Sequence, residues 1–90
     1  MTESVDHYAV LGVAPSATNQ QILSAYRKLA RRHHPDLNRN DPDAVRRFKR
    51  VTASFEVLYD ALKRSRYDSQ RLRDQAARRL NRAWYDVDAA

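Results

Sequence analysis

Residues 18–36 read TNQQILSAYRKLARRHHPD, and this stretch decides the fold. Thr18 followed by Gln21 has the form of a capping box. The Thr18 hydroxyl can accept from the Gln21 backbone, and the Gln21 side chain can reach back to the Thr18 N–H. Stepping onward at about 100° per residue, Ile22, Ala25, Tyr26, Leu29, Ala30 and His33 fall on one side. Gln20, Gln21, Ser24, Arg27, Lys28, Arg31 and Arg32 fall on the other. The spacing predicts an amphipathic helix over 19–33. Its polar side is wholly basic in the second half, with no acid between Thr18 and His34. Arg27 with Arg31, and Lys28 with Arg32, stand four apart and repel by a few tenths of a kcal/mol. Cations near a helix C-terminus offset part of that cost. A solvated face usually mixes its signs, so the unmixed one reads as a surface for an acidic partner. Pro35 bars the helix from continuing and pushes His34 towards extended geometry. His34 and Asp36 then project from a turn, where recognition groups commonly sit on a rigid scaffold.

Outward from this helix, the loop 34–40 leads to Asp41-Pro42-Asp43. Asp41 reads as a cap and Pro42 as the first residue of a second long helix over 42–59. Ala44, Phe48, Val51, Phe55, Leu58 and Tyr59 share one side of it. Two amphipathic helices joined by a short loop pack antiparallel, apolar face to apolar face. On the N-terminal side, Asp6 can cap a short helix that Gly12 ends, with Tyr8 and Leu11 on one face. The expected core is Tyr8, Leu11, Ile22, Tyr26, Leu29, Phe48, Val51, Phe55 and Leu58. A short helix over 60–68 follows, with Leu62 and Tyr67 placed to touch the base of the hairpin. Leu72, Ala76, Leu80 and Trp84 then recur at four-residue steps and predict a further helix over about 69–83, with a frayed end beyond it. Its other faces carry Arg71, Arg73, Arg78, Arg79 and Arg82. This stripe either folds back on the domain or meets a second protein through residues 69–84.

Composition sets the outer bounds. Ninety residues make one small all-α domain with one modest core, too small for a deep catalytic cleft. One Gly and three Pro leave little room for long loops. The absence of cysteine excludes a disulfide framework and fits a reducing compartment, and we expect a cytoplasmic protein. The acidic, polar start is neither a signal nor a transit peptide, and no apolar run can span a bilayer. A net charge of +6 and a pI near 10.2 call for an acidic partner without naming it. His7, His33 and His34 do not form a metal set: adjacent histidines on a helix diverge and no carboxylate is in register. No metal or cofactor is expected. No nucleophile–base pair can be placed, so the chain does not read as an enzyme.

Taken together, these residues resemble a J-domain, the module through which Hsp40 co-chaperones act on Hsp70 chaperones. Asp6-His7-Tyr8 with Leu11-Gly12-Val13 resembles the family's opening. Ala25-Tyr26-Arg27-Lys28-Leu29-Ala30 and His34-Pro35-Asp36 resemble its second helix and signature tripeptide. Asn38, Phe48-Lys49, Val51, Phe55-Glu56-Val57-Leu58, Lys63-Arg64 and Tyr67-Asp68 resemble the remainder. The resemblance implies a four-helix J-domain over 1–68, with short first and fourth helices, and a basic helical extension over 69–90. It implies docking on the ATPase domain of an Hsp70 near its interdomain linker, with stimulation of ATP hydrolysis and capture of a client. Arg27, Lys28, Arg31 and Arg32 would meet an acidic surface, and His34, Pro35 and Asp36 would supply the trigger. Asn38, Phe48 and Lys49 match positions that support docking or hold the loop, with Phe48 read as core in preference to contact. Three departures stand out: Leu37 follows the tripeptide where a basic residue is usual, Leu23 replaces a frequent cation, and Ala61 replaces a common proline. The competing reading is a basic nucleic-acid-binding helical domain, carried by the arginines between Arg64 and Arg82. The lack of an aromatic stacking platform disfavours it.

Overall fold

The computed structural model describes residues 5–88, with side chains described through Leu80. Four α-helices follow one another: α1 (His7–Leu11), α2 (Asn19–Arg32), α3 (Ala44–Tyr59) and α4 (Ala61–Asp88). A 3-10 turn, Pro35–Leu37, sits between α2 and α3.

The caps form where local chemistry calls for them. Asp6 accepts from the Ala9 N–H at 3.1 Å and starts α1. Gly12 ends it with φ +68°, a left-handed conformation that costs glycine little. Both halves of the capping box close at α2. Gln21 N–H donates to Thr18 Oγ1 at 3.1 Å, and Thr18 N–H donates to Gln21 Oε1 at 2.9 Å. Asp60 Oδ1 accepts from the Lys63 N–H at 2.9 Å at the start of α4.

α2 and α3 pack as an antiparallel hairpin. Tyr26 stacks on Phe55 with ring centroids 4.1 Å apart, while His34, further along the chain, meets the earlier Phe48. α1 lies across the pair. Tyr8, Leu11, Ala17, Ile22, Val51 and Leu58 form the buried cluster, with Tyr26, Leu29 and Phe55 packed against it. Full burial of a Leu or Ile side chain contributes roughly 1.5–3 kcal/mol, so Ile22 and Leu58 anchor the hairpin to α1. Phe48 lies outside this cluster, half-buried near the tip. It was expected in the core; instead its ring edge supports His34.

Two helix boundaries differ from expectation. α3 begins at Ala44, not at Pro42. Asp41 Oδ1 accepts from the Asp43 N–H at 2.9 Å, and the Ala44 N–H donates to the Asp41 carbonyl at 3.2 Å. That local turn holds residues 41–43 outside the helix, a competition typical of Asp side chains. The backbone N–H of Asp43, helped by Arg47, keeps the Asp41 carboxyl below the usual carboxylate range. The second difference is larger. The short helix 60–68 and the separate helix 69–83 are one continuous element of 28 residues that runs on to Asp88. No Gly or Pro interrupts 61–88, so nothing in the backbone stops the helix between Asp68 and Ser69.

α4 is latched to the rest by polar groups. Tyr8 Oη donates to Asp68, and Arg64 Nε donates to Tyr8 Oη at 3.1 Å. The Arg64 guanidinium also donates to the carbonyls of Pro15 and Ala17, at 3.1 and 2.7 Å. The Tyr67 hydroxyl accepts from the His7 N–H and donates to the Val5 carbonyl, both at 3.1 Å. Burial pushes the Tyr8 phenol up from its ordinary range. Leu62, expected at the base of the hairpin, is instead 60% exposed. Leu72 and Leu80 are also exposed, so their stripe does not fold back on the domain. Trp84 lies outside the residues whose side chains are described.

Candidate functional site

The tip of the hairpin is built by three local devices. α2 stops at Arg32, with His33 as its cap, half-buried. His34 takes φ −59° and ψ +130°, the extended geometry that a following proline imposes. Pro35 then opens the 3-10 turn, closed by Leu37 N–H to the His34 carbonyl at 3.0 Å and Asn38 N–H to the Pro35 carbonyl at 3.2 Å.

Side chains fix this turn from both ends. His34 Nδ1 accepts from the Asp36 backbone N–H at 3.1 Å. A neutral ring in this arrangement carries its proton on Nε2. The ring rests edge-on against Phe48, with centroids 5.6 Å apart. Asn38 donates from Nδ2 to the carbonyls of Arg32 and His34, both at 2.9 Å. Asn38 therefore satisfies a carbonyl at the open end of α2 and ties the turn to it.

The functional groups of the loop remain in water. The Asp36 carboxylate is 79% exposed and the His34 ring 46%, with 3.9 Å between Asp36 Oδ2 and His34 Nδ1. Arg27, Lys28, Arg31 and Arg32 are all exposed along the outer side of α2. Among the described residues none of the four joins an ion pair, and neither does Lys49 on α3. Arg46 and Arg47, by contrast, pair with Asp43 and Asp41. The result is an unneutralised cationic ridge that ends beside a water-facing carboxylate and imidazole.

Of the two roles the sequence offers Phe48, core or support for the loop, the structure shows the second, its ring bearing on the loop through His34. Arg64 carried no assigned role, yet it joins α4 to Tyr8 and to the α1–α2 connector. Nothing in its local sequence signals this, because its acceptors lie more than forty residues away.

A helical hairpin crossed by a short first helix, with an exposed His-Pro-Asp turn at its tip, defines the J-domain class of fold. The DnaJ domain model matches residues 6–68, and the chain belongs to that family. It is 54% identical over 63 residues to the chaperone protein DnaJ of Carboxydothermus hydrogenoformans, covering 70% of this chain and 16% of that one. The DnaJ of Halothermothrix orenii is 48% identical over 68 residues, covering 76% of this chain and 18% of its own. The chain thus spans less than a fifth of the length of these curated relatives. Among solved structures, the J-domain of human DnaJ subfamily C member 12 superposes with a TM-score of 0.72 at 30% identity, covering 90% of this chain and 78% of that one. The J-Trx1 fragment of ERdj5 superposes with a TM-score of 0.70 at 38% identity, covering 73% and 32%.

Proposed function

We propose that this domain is a co-chaperone module that docks on the ATPase domain of an Hsp70, near its interdomain linker, and stimulates ATP hydrolysis there. Hydrolysis by the partner promotes client capture; the domain itself makes and breaks no bonds. Arg27, Lys28, Arg31, Arg32 and Lys49 steer and orient an acidic surface of the Hsp70. His34, Pro35 and Asp36 deliver the trigger, with Asp36 pairing a cation on the partner. Asn38 holds the loop in shape for that contact. The cytoplasm is the compartment in which we place this activity, and no described helix is long and apolar enough to cross a membrane.

One observation carries the reading. The exposed Asp36 and His34 adjoin a ridge of four cations that, among the described residues, join no ion pair and stand on one helix. Exposed cations contribute mainly to encounter and register, whereas a charge desolvated on binding costs several kcal/mol when its partner is lost. The deciding experiment is steady-state ATP turnover by several Hsp70s, with wild-type domain and with Asp36→Asn added. Wild type should accelerate at least one Hsp70 and the variant should not. Equal acceleration by both would remove the trigger role of the tripeptide.

A further inference from the structure

The continuity of α4 places an apolar seam where the domain cannot cover it. The residues that hold α4 to the domain are Arg64, Tyr67, Asp68 and Arg71. They bond to Tyr8, Pro15, Ala17, Val5, the His7 backbone and Asp6. At about 100° per residue, they occupy one side of the helix. Leu62, Ser65, Ser69, Leu72, Ala76 and Leu80 fall together on a strip turned away from these contacts, spaced 3, 4, 3, 4 and 4 apart, with Leu72 at its near edge beside Pro15 and Arg71. All six are exposed, with Leu62 at 60%, Leu72 at 66% and Leu80 at 62%. The seam runs about 27 Å along one continuous helix, at about 1.5 Å per residue.

Its make-up selects the occupant. Large leucines separated by Ser and Ala at three-and-four spacing offer knobs and shallow holes to another helix. A helix that lies in a bilayer surface instead carries a broad, continuous bulky face. The seam is flanked by Arg73 and Arg66 on one edge and by Arg79 on the other, all exposed and, among the described residues, unpaired. A second copy of this chain would bring arginine against arginine along those edges. We infer that the outer face of α4, from Leu62 to Leu80, docks an acidic amphipathic helix of another protein, leucine seam to leucine seam, with carboxylates opposite Arg66, Arg73 and Arg79. This site faces away from the contacts that hold α4, with only Leu72 bordering them, and does not depend on the Hsp70 reading.

The test uses the whole chain and two synthetic peptides of about four heptads. Both carry leucine at the seam positions. One has glutamate at the flanking positions and the other lysine. Titration calorimetry should show the glutamate peptide binding and the lysine peptide failing to bind. Leu72→Asp with Leu80→Asp should weaken the glutamate peptide by at least about tenfold, a difference near 1.4 kcal/mol. Circular dichroism should show the helix content of that variant unchanged. Arg66→Glu with Arg73→Glu and Arg79→Glu should reverse the preference between the two peptides. No binding of the glutamate peptide, or equal binding of both, would overturn the proposal. So would a concentration-dependent dimer of the chain alone in sedimentation. Partition onto phosphatidylserine vesicles that the leucine variants abolish, without peptide binding, would overturn it as well.

Discussion

Asn38 and Asp36 stand two residues apart in one turn and act through different physics. Asn38 donates to two backbone carbonyls at 2.9 Å and holds the loop against the end of α2. Asp36 holds nothing with its carboxylate, which faces water. Removing the Asn38 amide should therefore lower stability, by about 0.5–1.5 kcal/mol for bonds of this kind. Asn38→Ala should show that loss in urea unfolding, together with a weaker, not abolished, stimulation of an Hsp70. Asp36→Asn should do the reverse, with stability within about 0.5 kcal/mol of wild type and stimulation lost, whereas His34→Gln should lose stimulation at a stability cost of about 0.5–1.5 kcal/mol. His34→Gln deletes the ring that rests on Phe48 and accepts from the Asp36 N–H, so its loop shape changes as well. A variant of Asp36 that unfolded the domain would show that the carboxylate is structural, against its exposure.

At the scale of elements, α1 and α4 are joined to the hairpin through a polar cluster around His7. Its Nδ1 lies 2.8 Å from Ser54 Oγ on α3, and its ring packs against Tyr67 on α4 at 4.7 Å between centroids. Burial lowers the His7 pKa below its ordinary 6.5, against the opposing pull of Asp6. The folded state therefore resists protonation more than the unfolded chain does. Above about pH 6.5 both states are neutral at this ring and its contribution to stability is complete. As the pH falls from there through the lowered folded value, the unfolded chain binds more protons and the contribution is lost. Urea midpoints measured between about pH 7 and pH 5 should fall for wild type and fall less for His7→Gln. The fully buried Leu58 supplies the scale for comparison: Leu58→Ala should cost about 2–5 kcal/mol at any pH in this range. The hairpin and α1 were legible because their signals are local. The capping box at Thr18, the glycine at Gly12 and the stop at Pro35 each act within a few residues. The start of α3 was misread because Asp41 can cap a helix or close a turn, and its bond to the Asp43 N–H chose the turn. Continuity through Tyr67–Gln70 is not legible because the four-residue stripe starts only at Leu72, which reads as a second helix although nothing in the backbone requires a break. Of the site, the tripeptide and the ridge could be read in the chain, Phe48 only as one of two roles, whereas the clamp of Arg64 depends on long-range packing.

Across the whole molecule, the matched module and the helix beyond it are not mechanically separate. The family match ends at Asp68, yet Arg71 reaches back to Asp6 at 3.7 Å and lies over the Tyr8 ring at 5.4 Å from its centroid. These contacts bear on α1, whose five residues have little stability of their own. A chain cut after Asp68 loses them, and it also loses the helix that follows the Arg64–Tyr8–Asp68 group. That group would then sit in a fraying last turn. An exposed ion pair contributes about 0.2–1 kcal/mol and a cation over an aromatic ring about 0.5–1 kcal/mol. Truncation after Asp68 should therefore lower stability by about 1–2 kcal/mol, a shift of several degrees in Tm for a domain this small. A cut after Leu80 keeps Arg71 and the turns around it, and its Tm should match the full chain. The charge-neutral variant Arg71→Gln in the full chain should reproduce only the fraction owed to Asp6 and Tyr8. The part of the effect that it leaves unexplained measures the end-fraying of α4. Equal Tm values for the cut after Asp68 and the full chain would mean that α1 is held by the hairpin alone, and that the helix past Asp68 serves the outer seam without serving the fold.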